Sequence, residues 1–101
     1  MAVTHIVTFV WVEGMEQERV ATIHETLQAF IARGEGLEGL VAWRGGADLS
    51  LAEGNADFGV WATFDDRAAY ERYRDHPEHR RIITEMIAPY LVSRSVVQFE
   101  H

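Results

Sequence analysis

The stretch "VTHIVTFVWV", residues 3–12, is the most informative part of the sequence about the fold. It is rich in β-branched and aromatic residues, which is typical of a β-strand. Alternate residues of a strand point to opposite faces, so this stretch presents two rows of side chains. One row holds His5, Val7, Phe9 and Trp11, and the other holds Thr4, Ile6, Thr8 and Val10. Both rows are largely apolar, whereas a strand with one wet face would alternate apolar and polar residues. We therefore predict a central strand that is covered on both faces.

The rest of the chain supplies two helical regions and three more strands. Helices are indicated by apolar residues at helical spacing and by the stop signals Gly34 and Pro77, and strands by β-branched and aromatic runs. The predicted elements are a helix over 15–34, a strand from 37 to about Trp43 followed by a glycine-rich turn, a strand over 57–66, helices over 67–75 and 77–90, and a strand over 91–100.

The order β-α-β-β-α-β predicts an α+β fold of the ferredoxin-like, split-βαβ type, with a four-stranded sheet. In that arrangement the first and third strands lie in the middle, and these are the two most apolar strands here. Two helices cover only one face of such a sheet. The other face would leave Ile6, Val10 and Trp61 in water, which makes a large apolar patch for a monomer. We therefore predict a homodimer that forms through the open sheet face.

Composition limits the classes of partner and of chemistry. A chain of 101 residues predicts one domain, residues 1–101. A net charge of −7 argues against binding to nucleic acid or to an anionic membrane surface. The absence of cysteine excludes disulfides and thiolate sites. No apolar run reaches the roughly 20 residues of a membrane span, and the first residues lack the features of a signal peptide. We expect a cytoplasmic protein.

The segment "DHPEHRR", residues 75–81, holds two of the five histidines. His76 precedes Pro77, so we interpret it as a polar cap at a helix start. His79 shares a helical stripe with Ile83 and Met86, where it is either a hydrogen-bonded core residue or the base of a pocket. A zinc site needs three or four ligands, and no nucleotide-binding or other cofactor motif occurs. We therefore expect neither a metal nor a cofactor.

Two further residues join His79 in a candidate acid–base site. His5 belongs to the strand row with large side chains, which suits the layer beneath the helices. Tyr73 stands just before the break in the helix, although it could equally be an amphipathic surface residue. Two neutral imidazoles and a phenol in an apolar layer could transfer protons. The predicted apolar walls of this pocket are Val7, Phe9, Ile23, Leu27, Val60 and Ala62.

Arg94 occupies a strand row between Val92 and Val96. We favour an outward-facing residue on an edge strand, where charge discourages aggregation. The alternative is a cation inside the pocket that binds a carboxylate of the substrate.

Three segments together resemble the stress-responsive A/B-barrel (Dabb) domain family. These are "HIVTFVWVEG", "GNADFGVWATFDDRAAYERYRDHPEH" and "VVQFE". Their most specific pattern is Thr-Phe, eleven residues, then His-Pro-x-His, which runs from Thr63 to His79. The resemblance implies a dimeric α/β barrel of ferredoxin-like subunits.

Within that family the chain resembles an olivetolic acid cyclase-like branch of plant proteins, which includes a cofactor-free polyketide cyclase. The resemblance implies that His79 is the base, that Tyr73 holds the substrate carbonyl and that His5 lines the pocket. Leu27 stands where that branch has a second pocket tyrosine, which implies a different substrate.

Three functional hypotheses follow. The first is a cofactor-independent cyclase, isomerase or lyase that acts on a hydrophobic carbonyl compound. The second is a non-catalytic stress-responsive dimer that binds a small ligand or none. The third, which rests on fold analogy alone, is a relative of heme- or oxygen-handling monooxygenases.

Overall fold

The computed structural model describes residues 1–101 and shows the predicted order of elements. The chain forms four strands and three α-helices. In chain order these are β1 (Val3–Trp11), α1 (Gln17–Arg33), β2 (Leu40–Ala47), β3 (Phe58–Phe64), α2 (Arg67–Asp75), α3 (Pro77–Ile82) and β4 (Leu91–Glu100). A π-helical turn (Ile83–Ile87) and a 3-10 turn (Ala88–Tyr90) connect α3 to β4.

The strands form one antiparallel sheet in the order β2-β3-β1-β4. The predicted ferredoxin-like α+β fold is therefore confirmed, with β1 and β3 in the middle of the sheet. None of the helices combines the length and the apolar character that crossing a membrane requires.

The two rows of β1 meet different surroundings. The row of His5, Val7, Phe9 and Trp11 is buried beneath the helices, as predicted. On the opposite row Ile6 is only half-buried, and its neighbour Trp61 on β3 is 40% exposed. The two most apolar strands therefore have a helix-covered face and an open face that helices do not cover.

The structure corrects the predicted end of the second strand. We expected a turn at the glycines after Trp43, but β2 continues through Gly45 and Gly46, which pair with Val60 and Gly59 of β3. A Cβ atom added to Gly45 would lie 2.7 Å from Cη2 of the Trp43 ring. The glycine therefore makes room for the indole inside a strand, and the turn begins only after Ala47.

The predicted single helix over 77–90 is also wrong in detail. The α-helical part ends at Ile82, and the chain passes through the π-helical turn into the 3-10 turn that contains Pro89. Proline has no N–H to donate and interferes with the preceding helical turn, so the helix cannot run regularly up to β4.

Side-chain caps begin the two helices that carry the site. The carboxylate of Asp66 accepts a hydrogen bond from the N–H of Ala69 at 2.9 Å, and α2 begins there. The Nδ1 atom of His76 accepts from the N–H of Glu78 at 3.1 Å, and Pro77 follows as the first residue of α3. The predicted role of His76 as a helix cap is thus confirmed, and the break between α2 and α3 follows from it.

Candidate functional site

A cavity of about 780 Å³ lies between the sheet and the elements α2, α3 and the π-helical turn. Its wall includes His5 from β1, Tyr73 from α2 and His79 from α3. The ring centre of Tyr73 lies 6.2 Å from that of His5 and 4.4 Å from that of His79. The structure thus brings the three predicted acid–base residues to one cavity, with the phenol adjacent to both imidazoles.

Most of the predicted apolar wall also faces this cavity. The residues of that set that line it are Val7, Phe9, Leu27 and Val60. Ile23 and Ala62 do not, and this part of the prediction is wrong. Both side chains are almost completely buried within the hydrophobic core, so they support the layer from inside without reaching the cavity surface.

His79 has one ring nitrogen engaged and the other unpaired. Its Nδ1–H donates to the carbonyl oxygen of Arg74 at 3.2 Å. A carbonyl can only accept, so this bond places the proton of the neutral ring on Nδ1 and leaves the lone pair on Nε2. Burial lowers the pKa of His79 below its ordinary value. A neutral ring with a lone pair on Nε2 is the state that a general base requires.

His5 has the opposite arrangement. The amide Nε2 of Gln98 donates to Nδ1 of His5 at 2.9 Å, so the ring proton lies on Nε2. Burial is the main cause that lowers the pKa of His5 to about 4, and the charge of Arg94, like that of His79 when it is protonated, acts in the same direction. His5 is therefore neutral near pH 7 and offers a donor where His79 offers an acceptor.

The two tyrosines of α2 add phenol groups to the same wall. Burial raises the pKa of Tyr73 to about 12, so this phenol stays protonated and can donate a hydrogen bond. Tyr70 also lines the cavity, with its ring centre 5.3 Å from that of His5. We did not select Tyr70 from the sequence, although its position three residues before Tyr73 places both on one helix face.

Gln98 is the second residue that sequence reasoning missed. It lies opposite His5 in the pairing of β1 with β4, and cross-strand neighbours point to the same face of a sheet. Only the register of these two strands brings Gln98 to His5, so no local pattern in the sequence could have identified it.

The same register corrects the interpretation of Arg94. The residue does lie on an edge strand and is solvent-exposed, as expected. It pairs with Phe9, however, so its side chain is on the helix-covered side of the sheet and lines the cavity. The outward direction that we favoured is therefore wrong.

Outside this cavity, the structure shows neither a metal-binding group nor a second cluster of the predicted site residues. No group of three histidine, aspartate or glutamate side chains is arranged to hold a metal ion. A second cavity, of about 730 Å³, lies at the other end of the layer between α1 and the sheet, and none of the predicted site residues lines it. The acid–base residues are thus concentrated in the first cavity.

Comparison with known proteins shows which family the chain resembles. The family model described as "Stress responsive A/B Barrel Domain" matches residues 3–101. No curated protein sequence matches the chain significantly.

Three solved structures are similar to the chain over nearly its whole length. A dimeric ferredoxin-like protein of unknown function from Thermobifida fusca is 36% identical, with a TM-score of 0.90, and the match covers 100% of this chain and 92% of that one. A Dabb family protein from Mesorhizobium loti is 19% identical, with a TM-score of 0.79 and coverage of 99% and 96%. A hydroxynitrile lyase from Passiflora edulis is 17% identical, with a TM-score of 0.79 and coverage of 97% and 91%. The last two matches show a shared fold.

Proposed function

Because the chain belongs to the stress responsive A/B barrel domain family, whose fold also occurs in a lyase, we propose that it is a cofactor-independent enzyme. In this proposal His79 abstracts a proton from a small, largely apolar carbonyl compound or from its hydroxyl adduct. The reaction class is a cyclisation, an isomerisation or a lyase reaction.

One observation carries this proposal: the two histidines of the cavity are held in opposite tautomers. The Arg74 carbonyl leaves His79 with a lone pair on Nε2, and Gln98 leaves His5 with a proton on Nε2. Proton transfer to and from a substrate needs one group of each kind within reach.

Tyr73 would stabilise the charge that develops on the substrate oxygen. Its ring is adjacent to both imidazoles, and the phenol remains protonated far above neutral pH. A preorganised donor aimed at a developing oxyanion contributes roughly 3–4 kcal/mol to catalysis. The apolar wall of Val7, Phe9 and Val60 would bind the hydrocarbon part of the substrate and keep water away.

One structural relative supports this class of chemistry. The hydroxynitrile lyase from Passiflora edulis has the same fold at 17% identity. The likeness of His79, Tyr73 and His5 to the olivetolic acid cyclase-like branch stays a prediction from the sequence. Leu27 lines the cavity, and the resemblance to that branch implies a tyrosine at this position there. We therefore expect a substrate with more apolar surface at that point.

We also propose that the working unit is a homodimer that closes over the open sheet face. The relative from Thermobifida fusca, at 36% identity, is described as dimeric. The open face of this chain carries large apolar side chains in partial contact with solvent, among them Trp61, Val97 and Phe99. A location in the cytoplasm and the absence of a bound cofactor remain predictions.

Exchange of carbon-bound protons tests the proposed base directly. We would incubate the purified protein in D₂O with a 1,3-diketone, an aryl ketone and a hydroxynitrile, and follow deuterium uptake or bond cleavage by NMR. His79→Gln can still donate an amide N–H to the Arg74 carbonyl but lacks a basic nitrogen. The rate above buffer should fall about 10²- to 10⁴-fold, the usual contribution of a general base.

His24→Gln is the matched control, because His24 does not line the cavity. It should keep the wild-type rate. Full activity of His79→Gln would remove the base assignment. If the wild-type protein accelerates none of the three reactions, the ligand-binding, non-catalytic dimer becomes the better interpretation.

A further inference from the structure

The wall of the cavity that β4 supplies carries an unpaired positive charge. The residues Arg94, Val96 and Gln98 lie opposite Phe9, Val7 and His5 of β1 and all face the cavity. Arg94 has no ion pair and no side-chain hydrogen bond within the chain, in contrast to the other arginines of this wall.

The balance of charge around the cavity is positive. Three arginines line it, Arg74, Arg80 and Arg94, against the single carboxylate of Asp75. Arg74 and Arg80 both bind Asp75, at 2.9 and 3.0 Å. The two histidines are neutral near pH 7, as described above. Arg94 is therefore the cation left to meet a ligand, on a chain whose net charge is −7.

The surroundings of Arg94 fit the head of an amphiphilic molecule. Its own strand continues with Val96, and the buried side chains of Phe9 and Val7 lie opposite on β1. The same surface therefore changes from an exposed guanidinium to apolar side chains and then to the histidines. The guanidinium group matches a carboxylate in shape and binds it through two parallel hydrogen bonds.

We infer that the substrate is an amphiphilic carboxylate, whose anionic group binds Arg94 while its apolar chain lies along Val96, Val7 and Phe9. This inference rests on the proposed function, because it assigns the substrate class of the same cavity. It makes Arg94 a specificity residue that orients the substrate with its reacting carbon towards His79. A neutral ligand of the same shape would lack this anchor.

Binding of a matched pair of probes tests the inference without any knowledge of the true substrate. Octanoate and octanamide have the same chain and differ in the charge of the head group. We would measure their affinities by titration calorimetry and place them by the NMR shifts of the His5 and His79 rings. Octanoate should bind wild-type protein about ten- to a hundredfold more tightly, as expected for a charge-assisted hydrogen bond.

Arg94→Gln should remove this preference and leave the affinity for octanamide unchanged, and Arg94→Lys should retain part of it. Arg33→Gln, at the end of α1 and outside the cavity, removes the same charge and serves as the control. Equal loss in Arg33→Gln and Arg94→Gln would show a general effect of net charge and overturn the inference.

The outcomes also separate this inference from the proposed function. Equal binding of the two probes to wild-type protein overturns the role of Arg94 and leaves His79 as the proposed base. Octanoate binding that depends on Arg94, together with full proton exchange in His79→Gln, supports the anchor and removes the catalytic proposal. Failure of both probes to perturb the His5 and His79 rings at millimolar concentration counts against both.

Discussion

Among single residues, His5 stands out because its imidazole is buried and its protonated form is therefore disfavoured. His5 is only 8% exposed, yet its imidazole ring makes a single hydrogen bond, with the side chain of Gln98. Gln98 donates to Nδ1, so protonation of that nitrogen would break the bond and place a charge in an apolar layer next to Arg94. The same environment that keeps the ring neutral near pH 7 therefore makes the fold sensitive to acid.

The stability of the protein should fall between pH 6.5 and pH 4 because of His5. The pKa of His5 is about 4 in the folded chain, against 6.5 for an ordinary histidine. In this window the unfolded chain binds a proton that the folded chain does not, so the free energy of unfolding decreases as the pH falls. The buried His79, whose pKa is also lowered, acts in the same direction. The shift from 6.5 to about 4 corresponds to at most about 3.5 kcal/mol, at about 1.4 kcal/mol per pKa unit. Partial solvation of the ring reduces the expected contribution of His5 to about 2–3 kcal/mol.

Urea unfolding at a series of pH values measures this slope. His5→Gln removes the titrating group, so its free energy of unfolding should depend less steeply on pH over the same window, whatever its value at pH 7. Identical slopes for the two proteins would contradict a buried, neutral His5.

At the scale of elements, β2 shows how one buried side chain determines the course of a strand. The indole of Trp43 is folded back over Gly45, which leaves no space for a Cβ atom at that position. Gly46, the next residue, has open space around its Cα atom, with no heavy atom within 4 Å of the Cβ position. The sequence therefore does not distinguish the two adjacent glycines, whereas the space around their Cα atoms differs.

Gly45→Ala should destabilise the protein by about 1–3 kcal/mol, the usual cost of overpacking a core. The added methyl group would lie 2.7 Å from the Trp43 ring, which is buried and cannot easily move. Gly46→Ala adds the same methyl group to the same strand and should change stability by less than about 1 kcal/mol. Thermal unfolding of the two variants compares them, and similar losses of stability would rule out the packing explanation.

At the scale of the whole molecule, the sheet has one face with helices and one without. On the open face Ile6 lies between Trp61 of β3 and Val97 of β4 in the pairing register. A row of this kind is rarely left in water on a monomer, and in the proposed dimer a second copy of the chain would cover it with a surface of the same character. The cavity with His79 lies on the opposite side of the sheet, so loss of the dimer and loss of the site are separable.

Trp61→Glu should yield monomers or unfolded protein, because it would bury an unpaired charge between two sheets. Ala68→Glu introduces the same charge at an exposed position of α2 and should leave the assembly intact. Sedimentation velocity distinguishes the two results. A folded monomer of the wild-type chain at micromolar concentration would exclude the proposed dimer.

The fold could be predicted from the sequence because it depends on local patterns. The doubly apolar rows of β1, the helical stripes and the break at Pro77 are all visible within short windows, and together they permit few arrangements. The trio of His5, Tyr73 and His79 could also be named, since each lies at a recognisable position on an element that faces the helix–sheet layer.

The order of the elements and the central place of β1 follow from the sequence, which also identifies an apolar sheet face without helices and the candidate residues His5, Tyr73 and His79. The folded chain is needed to show that Gln98 and the Arg74 carbonyl hold the two histidines in opposite tautomers, and that Arg94 faces the cavity. The physical reason is the distance along the chain between interacting residues. Periodicity and capping act between residues close in the chain, whereas a tautomer depends on hydrogen bonds between partners such as His5 and Gln98, brought together by the register of β1 with β4.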